Sequence, residues 1–196
     1  MIVLVDATTL ALLVNPDATP PIDPATKAPL TSPKARLERL VAQIDSASGA
    51  IIIPTPVLAE VLVRVEDAAP EILERLNKSA RFRIADFDQR AAIELAAMTR
   101  EAMRRTDKFD GSQSPWQKVK LDRQIIAIAR VHGAEAIYSD DEGIAKFAQK
   151  IDLPVVRTWE LPLPEAPPAD LFTTAPRWLA EANPEQVDPK ASGEAQ

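Results

Sequence analysis

Residues 136–156 read AIYSDDEGIAKFAQKIDLPVV. A short apolar run, AIYS, is followed by a helix-patterned segment over 142–150 and then by the β-branched run PVVRT at 154–158. Strand, helix and strand in so few residues predict a βαβ crossover, and hence a parallel sheet. The same alternation extends back through the chain. IVLV at 2–5 has the composition of a strand buried on both faces. After it come a short turn and an extended loop over 15–33 with six prolines. Ser32 and Pro33 then predict the start of a helix carrying Leu37, Leu40, Val41 and Ile44 on one stripe, with Gly49 at its end. AIII at 50–53 predicts a second strand, Thr55-Pro56 a helix to about Glu66, and 70–79 another. FRIADF at 82–87 predicts a third strand, followed by long helices over 88–105 and 117–132. The expected fold is a single α/β domain over 1–159, three layers with a central parallel sheet of about five strands and helices on both faces. Residues 160–196 form an acidic, proline-rich tail, in which Leu171, Phe172, Trp178 and Leu179 are candidates to dock on the body.

Bulk composition excludes several chemistries. The chain has no cysteine and one histidine, His132, so thiolate catalysis, cysteine zinc sites and multi-histidine metal sites are ruled out. No apolar run reaches the ~20 residues of a membrane span. With no basic leader before MIVLVD, the expected location is the cytoplasm. The net charge of −6 is unevenly spread. Residues 160–196 hold seven acids and two bases, which leaves 22 acids and 21 bases in the body from totals of 29 and 23.

In a parallel sheet, ligands bind at the carboxyl ends of the strands. Asp6 follows the first strand directly, and Asp140 and Asp141 follow the fourth. Glu60 lies early in the helix after the second strand. Each alone has an ordinary explanation: Asp6 can bond a turn, Asp140 or Asp141 can cap a helix, and Glu60 can pair with Arg64 at i+4. Glu142 reads as a first-turn acid favoured by the helix dipole. Asp122 is harder to dismiss, because Ile125, Ile126 and Ala129 share its helix face, and a carboxylate on a buried stripe needs a partner or a cation. Arg123 points about 100° away. If the helix begins near Lys120, Asp122 is in its first turn; if near Pro115, it is two turns in. Converging carboxylates with no histidine or cysteine suit hard divalent ions, Mg²⁺ or Mn²⁺, and metal-assisted phosphodiester hydrolysis.

VLVDATTL, IPTPVLAEVL, LDRQIIAIARVHG and AIYSDDEGIAKFAQKIDLPVV, taken in order, resemble the PIN-domain ribonuclease family, and in particular toxin-like bacterial PIN proteins. The resemblance runs through residues 1–158. It implies a metal-dependent endoribonuclease acting through Asp6, Glu60, Asp122 and Asp141, with Asp140 as a supplementary ligand and Thr8 and Ser139 in support. It also implies the role, frequent in bacteria, of the toxin in a toxin–antitoxin pair, with an antitoxin protein as partner; homodimers are common in families of this type. The insertion at 15–33 and the tail depart from the basic pattern. Two alternatives stay open: an inactive PIN-like scaffold that binds RNA or a protein, and a phosphatase of the haloacid dehalogenase type. The latter wants a second Asp where this chain has Thr8.

Residues 100–123 hold seven bases against four acids, with Phe109 and Trp116 in the connector. Arg104, Arg105, Lys108, Lys118, Lys120 and Arg123 are the candidate phosphate contacts and Trp116 the candidate stacking platform for RNA. The alternative is a solvated connector with Trp116 folded onto the core.

Overall fold

The computed structural model describes residues 1–15 and 17–164. Met1–Pro164 form one compact unit, which reaches past the boundary expected at 159. The tail residues proposed to dock lie outside the described residues.

Five short strands form one parallel sheet: β1 (Ile2–Val5), β2 (Ala50–Pro54), β3 (Phe82–Ala85), β4 (Ala136–Tyr138) and β5 (Val155–Val156), in the order β3-β2-β1-β4-β5. Val3 is in register with Ile51 on one side and Ala136 on the other. β1 and β2 are buried almost throughout, as their β-branched, charge-free sequences require. Gly49 leads into β2 where a side chain would collide with the carbonyl of Met1, so the approach to β1 admits only glycine.

The helices are α1 (Ala7–Val14), α2 (Pro33–Ser46), α3 (Thr55–Val65), α4 (Ala69–Lys78), α5 (Gln89–Arg105), α6 (Trp116–Val131) and α7 (Glu142–Gln149). The chain steps from β1 through β2 to β3 in one direction, then crosses back to β4 and β5. Right-handed crossovers therefore place α1–α4 and α5–α7 on opposite faces. Accordingly α1 packs on α2 and α3, and α6 packs on α5 and α7. Leu37, Leu40 and Ile44 of α2 and Ile72 and Leu76 of α4 turn into the core. Beyond β5 the chain returns to α2, where Arg36 donates to the carbonyl of Leu161 and Leu161 is buried.

Two expectations need correction. The short turn after β1 is a two-turn helix, α1, nucleated by Asp6, whose side chain accepts from the Thr9 N–H. Ser32 precedes α2 but does not cap it with its side chain, because its backbone is left-handed, at φ 50°. Of the two starts left open for α6, the structure has the earlier: the helix begins at Trp116 behind Pro115, so Asp122 lies two turns in and gains nothing from the first turn of its own helix.

Candidate functional site

The strand order reverses between β1 and β4, and the carboxyl ends of these two neighbours open on one crevice. Asp6 leaves β1 at that point and Ser139, Asp140 and Asp141 leave β4. Asp6 and Asp141 are both helix N-caps, of α1 and α7. The sequence places carboxylates here for a local reason as well as a chemical one: each helix start needs an acceptor.

Asp6 is only 3% exposed and both its oxygens are held. Oδ1 accepts from the Thr9 N–H at 2.8 Å, and Oδ2 accepts from the Ser139 hydroxyl at 2.5 Å. Burial pushes its carboxyl up to about 6, against the lowering effect of Ser139 and Thr9. Thr9 is fully buried and its hydroxyl donates to the Tyr138 carbonyl at 3.0 Å, tying α1 to β4. Sequence reasoning picked Thr8 for support. Thr8 is half-buried and lines a hollow with Asn15, Asp17 and Arg64, while the hydrogen bonds to Asp6 and Tyr138 come from Thr9. The signal available was the N-cap rule, which reads three residues on from Asp6.

Asp122 is also 3% exposed. Its Oδ2 is buried without a hydrogen-bond partner, against the α7 N-terminus. A Cβ at Gly143 would collide with that oxygen and would stand 2.9 Å from Asp141 Oδ1, so glycine is what lets α7 start against Asp122. Burial raises the Asp122 carboxyl to about 6; Lys118 opposes the shift, and the charges of Asp141 and Asp6 add to it. Asp141 Oδ1 accepts from the N–H groups of Gly143 at 2.6 Å and Ile144 at 3.2 Å. Its Oδ2 accepts from Lys118 Nζ at 2.6 Å, and the same ammonium lies 3.6 Å from Asp122 Oδ1. Burial works to raise the Asp141 carboxyl, but Lys118 and the α7 backbone outweigh it and hold the group below its ordinary value.

Asp140 does something different. Its Oδ1 accepts from the Thr158 N–H at 2.7 Å, which fastens the turn after β4 to the residues after β5, and its Oδ2 is buried without a partner. Arg157 braces the same turn, donating to the Ser139 carbonyl at 3.2 Å and pairing with Glu142 at 2.9 Å. Neither Arg157 nor Thr158 was expected from the sequence. Glu60 is not drawn into the group: its carboxylate pairs with Arg64, 2.5 Å away on the outside of α3. Asp6 has a hydroxyl and an amide for partners, not the base a phosphatase nucleophile would want.

The expected RNA contacts divide. Arg123 is a correction: it is 1% exposed, donates to the Lys108 carbonyl at 2.8 Å and lies 4.8 Å over the Phe147 ring, so it is a core residue joining α6 to α7. Lys118 is occupied by the carboxylates. Arg104 pairs with Glu101 at the surface, while Arg105 lies 3.6 Å from the largely buried carboxylate of Asp110, which also pairs with Lys150. Trp116 is half-buried, packed edge-on against Phe109 at 5.9 Å, and Lys108 caps both rings at 5.2 Å. Lys120 is exposed.

Among the described residues, no group of three or more acidic or histidine side chains closes on one point as arranged. The donor chemistry nevertheless fits a hard divalent ion. Every candidate ligand is a carboxylate oxygen, and Asp122 Oδ2 has no protein donor to satisfy it.

A model of the PIN domain family matches residues 28–150. The match contains Glu60, Asp122, Asp140 and Asp141; β1 and Asp6 precede it and join the site through the sheet. Among solved structures, VapBC2 from Rickettsia felis bound to a DNA fragment from its promoter aligns with a TM-score of 0.53 at 16% identity, covering 80% of this chain and 98% of that one. FitAB bound to the IR36 DNA fragment aligns with a TM-score of 0.50 at 17% identity, covering 82% and 97%. No curated protein matches the chain.

Proposed function

Because the chain belongs to the PIN domain family, we propose that it is an endoribonuclease that hydrolyses RNA phosphodiesters with a Mg²⁺ or Mn²⁺ ion held by Asp6, Asp122 and Asp141. The observation that carries this reading is the partnerless Oδ2 of Asp122, buried beside two further carboxylates where the strand order reverses. A buried carboxylate oxygen without a donor is costly, and Lys118 reaches only the other oxygen of Asp122, at 3.6 Å. When bound, such an ion lowers the pKa of a water and offsets charge on a phosphoryl oxygen.

The protein's own part is positioning. Ser139 and Thr9 fix the plane of the Asp6 carboxylate, and the α7 N-terminus fixes that of Asp141. Gly143 and the hydrophobic surroundings of α6 keep Asp122 in place and dry. Asp140, fastened to Thr158, holds the turn that carries Ser139 and Asp141. Glu60 enters the proposal on the family resemblance alone. Exposed Lys108, Lys120 and Arg104, with the Phe109–Trp116 pair, are the groups left to meet an RNA strand. The biological role proposed is the toxin of a toxin–antitoxin pair, with an antitoxin protein as partner.

The test is cleavage of a mixed single-stranded RNA pool with Mn²⁺, with Mg²⁺ and with EDTA. Wild type is expected to cut only with metal, Asp6→Asn and Asp122→Asn to be inactive, and Glu60→Gln to lose less. Binding of RNA without cleavage by wild type in either metal would replace this reading with the inactive scaffold.

A further inference from the structure

Asp6 gives both of its oxygens to Thr9 and Ser139, whereas Asp141 and Asp122 each turn one oxygen toward Lys118. Asp141 gives Oδ1 to the backbone of α7 and turns Oδ2 to Lys118. Asp122 turns Oδ1 toward the same ammonium. Of the oxygens not bonded to amides or hydroxyls, Lys118 covers Asp141 Oδ2 and Asp122 Oδ1 and leaves Asp122 Oδ2 without a partner. Lys118 reaches them from α6 itself: it stands four residues before Asp122, on the same helix face, in the sequence KVKLD at 118–122. Lys120, two residues before Asp122, lies on another face and is exposed.

From this geometry, and resting on the metal-dependent reading above, we infer that Lys118 is a tethered competitor for the metal site: its ammonium occupies the Asp122–Asp141 oxygens, and a divalent ion binds by displacing it. The displacement is feasible because the Lys118 side chain is 43% exposed and its long stem can swing into water. It has a definite cost, because the ion pair spans two carboxylates, one of them buried. The consequence is a built-in threshold. The nuclease centre stays charge-compensated at low metal concentration and loads only when the ion outcompetes its own lysine. A merely structural lysine would affect folding and leave metal affinity unchanged.

The test is calorimetric titration of Mn²⁺ into the full chain, wild type against Lys118→Met, with Lys118→Gln as a second neutral variant should the first fold poorly. Lys120→Met removes the same charge from the same helix without touching the carboxylates, and so controls for the general field. Mn²⁺ is expected to bind Lys118→Met about two- to fivefold more tightly than wild type, the range set by ion pairs of this exposure. Lys120→Met should stay near wild type, and Lys118→Arg, which keeps a competing cation, should not gain the full increment. Equal affinities in wild type and Lys118→Met, or the same gain in Lys120→Met, would overturn the role of Lys118 while leaving the metal site standing. Failure of every variant and of wild type to bind Mn²⁺ would overturn both.

Discussion

Replacing Asp122 by Asn should abolish activity and yet stabilise the protein without metal. In the folded chain the Asp122 carboxyl is raised from 3.8 to about 6, chiefly by burial. A group whose folded pKa lies above its unfolded value binds the proton more tightly in the native state. Stability therefore falls as pH rises from about 4 through 6, and is flat above. Ionising the group costs about 3 kcal/mol by pH 8 from the displacement of its pKa. The Lys118 attraction is already contained in that shift, and solvent relaxation beside the open crevice reduces the gain on substitution to about 2 kcal/mol. For a domain of this size that is roughly 4–8 °C in Tm. The assay is thermal unfolding in EDTA, followed by circular dichroism from pH 5 to 8. Asp122→Asn should melt above wild type at pH 8, and its advantage should shrink as pH is lowered through 6. Saturating Mn²⁺ should reverse the order, since only wild type keeps the full ligand set. An Asn variant that melts at or below wild type at pH 8 in EDTA, or an advantage independent of pH, would show that Asp122 is already satisfied and would refute the reasoning.

Other substitutions separate positioning from folding. Gly143→Ala puts a methyl against Asp122 Oδ2 and near Asp141 Oδ1. It should weaken Mn²⁺ binding by about tenfold or more, with a stability loss of about 1–3 kcal/mol as the overpacked helix start shifts; unchanged Mn²⁺ affinity would mean that the carboxylates relax freely. Arg123→Ala removes a guanidinium that is packed on Phe147 and bonded to the Lys108 carbonyl. It should cost about 2–4 kcal/mol in chemical denaturation, and Arg123→Met, which refills the space, distinctly less. Neither should change the salt dependence of RNA binding, as a direct phosphate contact would. Ser139→Ala takes the donor from Asp6 Oδ2 and should raise the Asp6 carboxyl above its present value of about 6, measurable by carboxyl-selective NMR titration in EDTA.

The sheet was legible because its strands are short apolar runs between turns and caps, β3 with Arg83 being the one that carries a charge. The acidic edge was legible because Asp6 and Asp141 abut those strands. α1 was missed because ATTLALLV is apolar nearly all round and shows no face; its start signal, Asp6, also bore the catalytic reading. Asp122 was found by an argument only half right. Its stripe is buried, but so is nearly everything from Asp122 to Ala129, because α6 is packed between α5, α7 and the sheet. The same burial takes Arg123 off the RNA surface, and counting bases along a segment cannot reveal it. Lys118 was read as a phosphate contact because its charge was counted with its neighbours. Its i+4 relation to Asp122 was the signal that it faces the carboxylates instead. Thr9 was within reach of the N-cap rule, whereas Gly143, Arg157 and Thr158 act through contacts between elements distant in sequence, which no spacing expresses.

The central claim is that carboxylates and a divalent ion at the β1–β4 crevice hydrolyse RNA with water as the nucleophile. The most direct measurement is the end-group analysis of RNA fragments made by wild type in Mn²⁺, alongside Asp6→Asn and an EDTA control. The account predicts cleavage that needs both the metal and Asp6, and fragments that end in linear phosphates and hydroxyls with no 2′,3′-cyclic phosphate. Cleavage that survives EDTA or the Asp6 substitution, or fragments ending in cyclic phosphate, would show that the RNA's own 2′-hydroxyl or some other site does the work, and would contradict it.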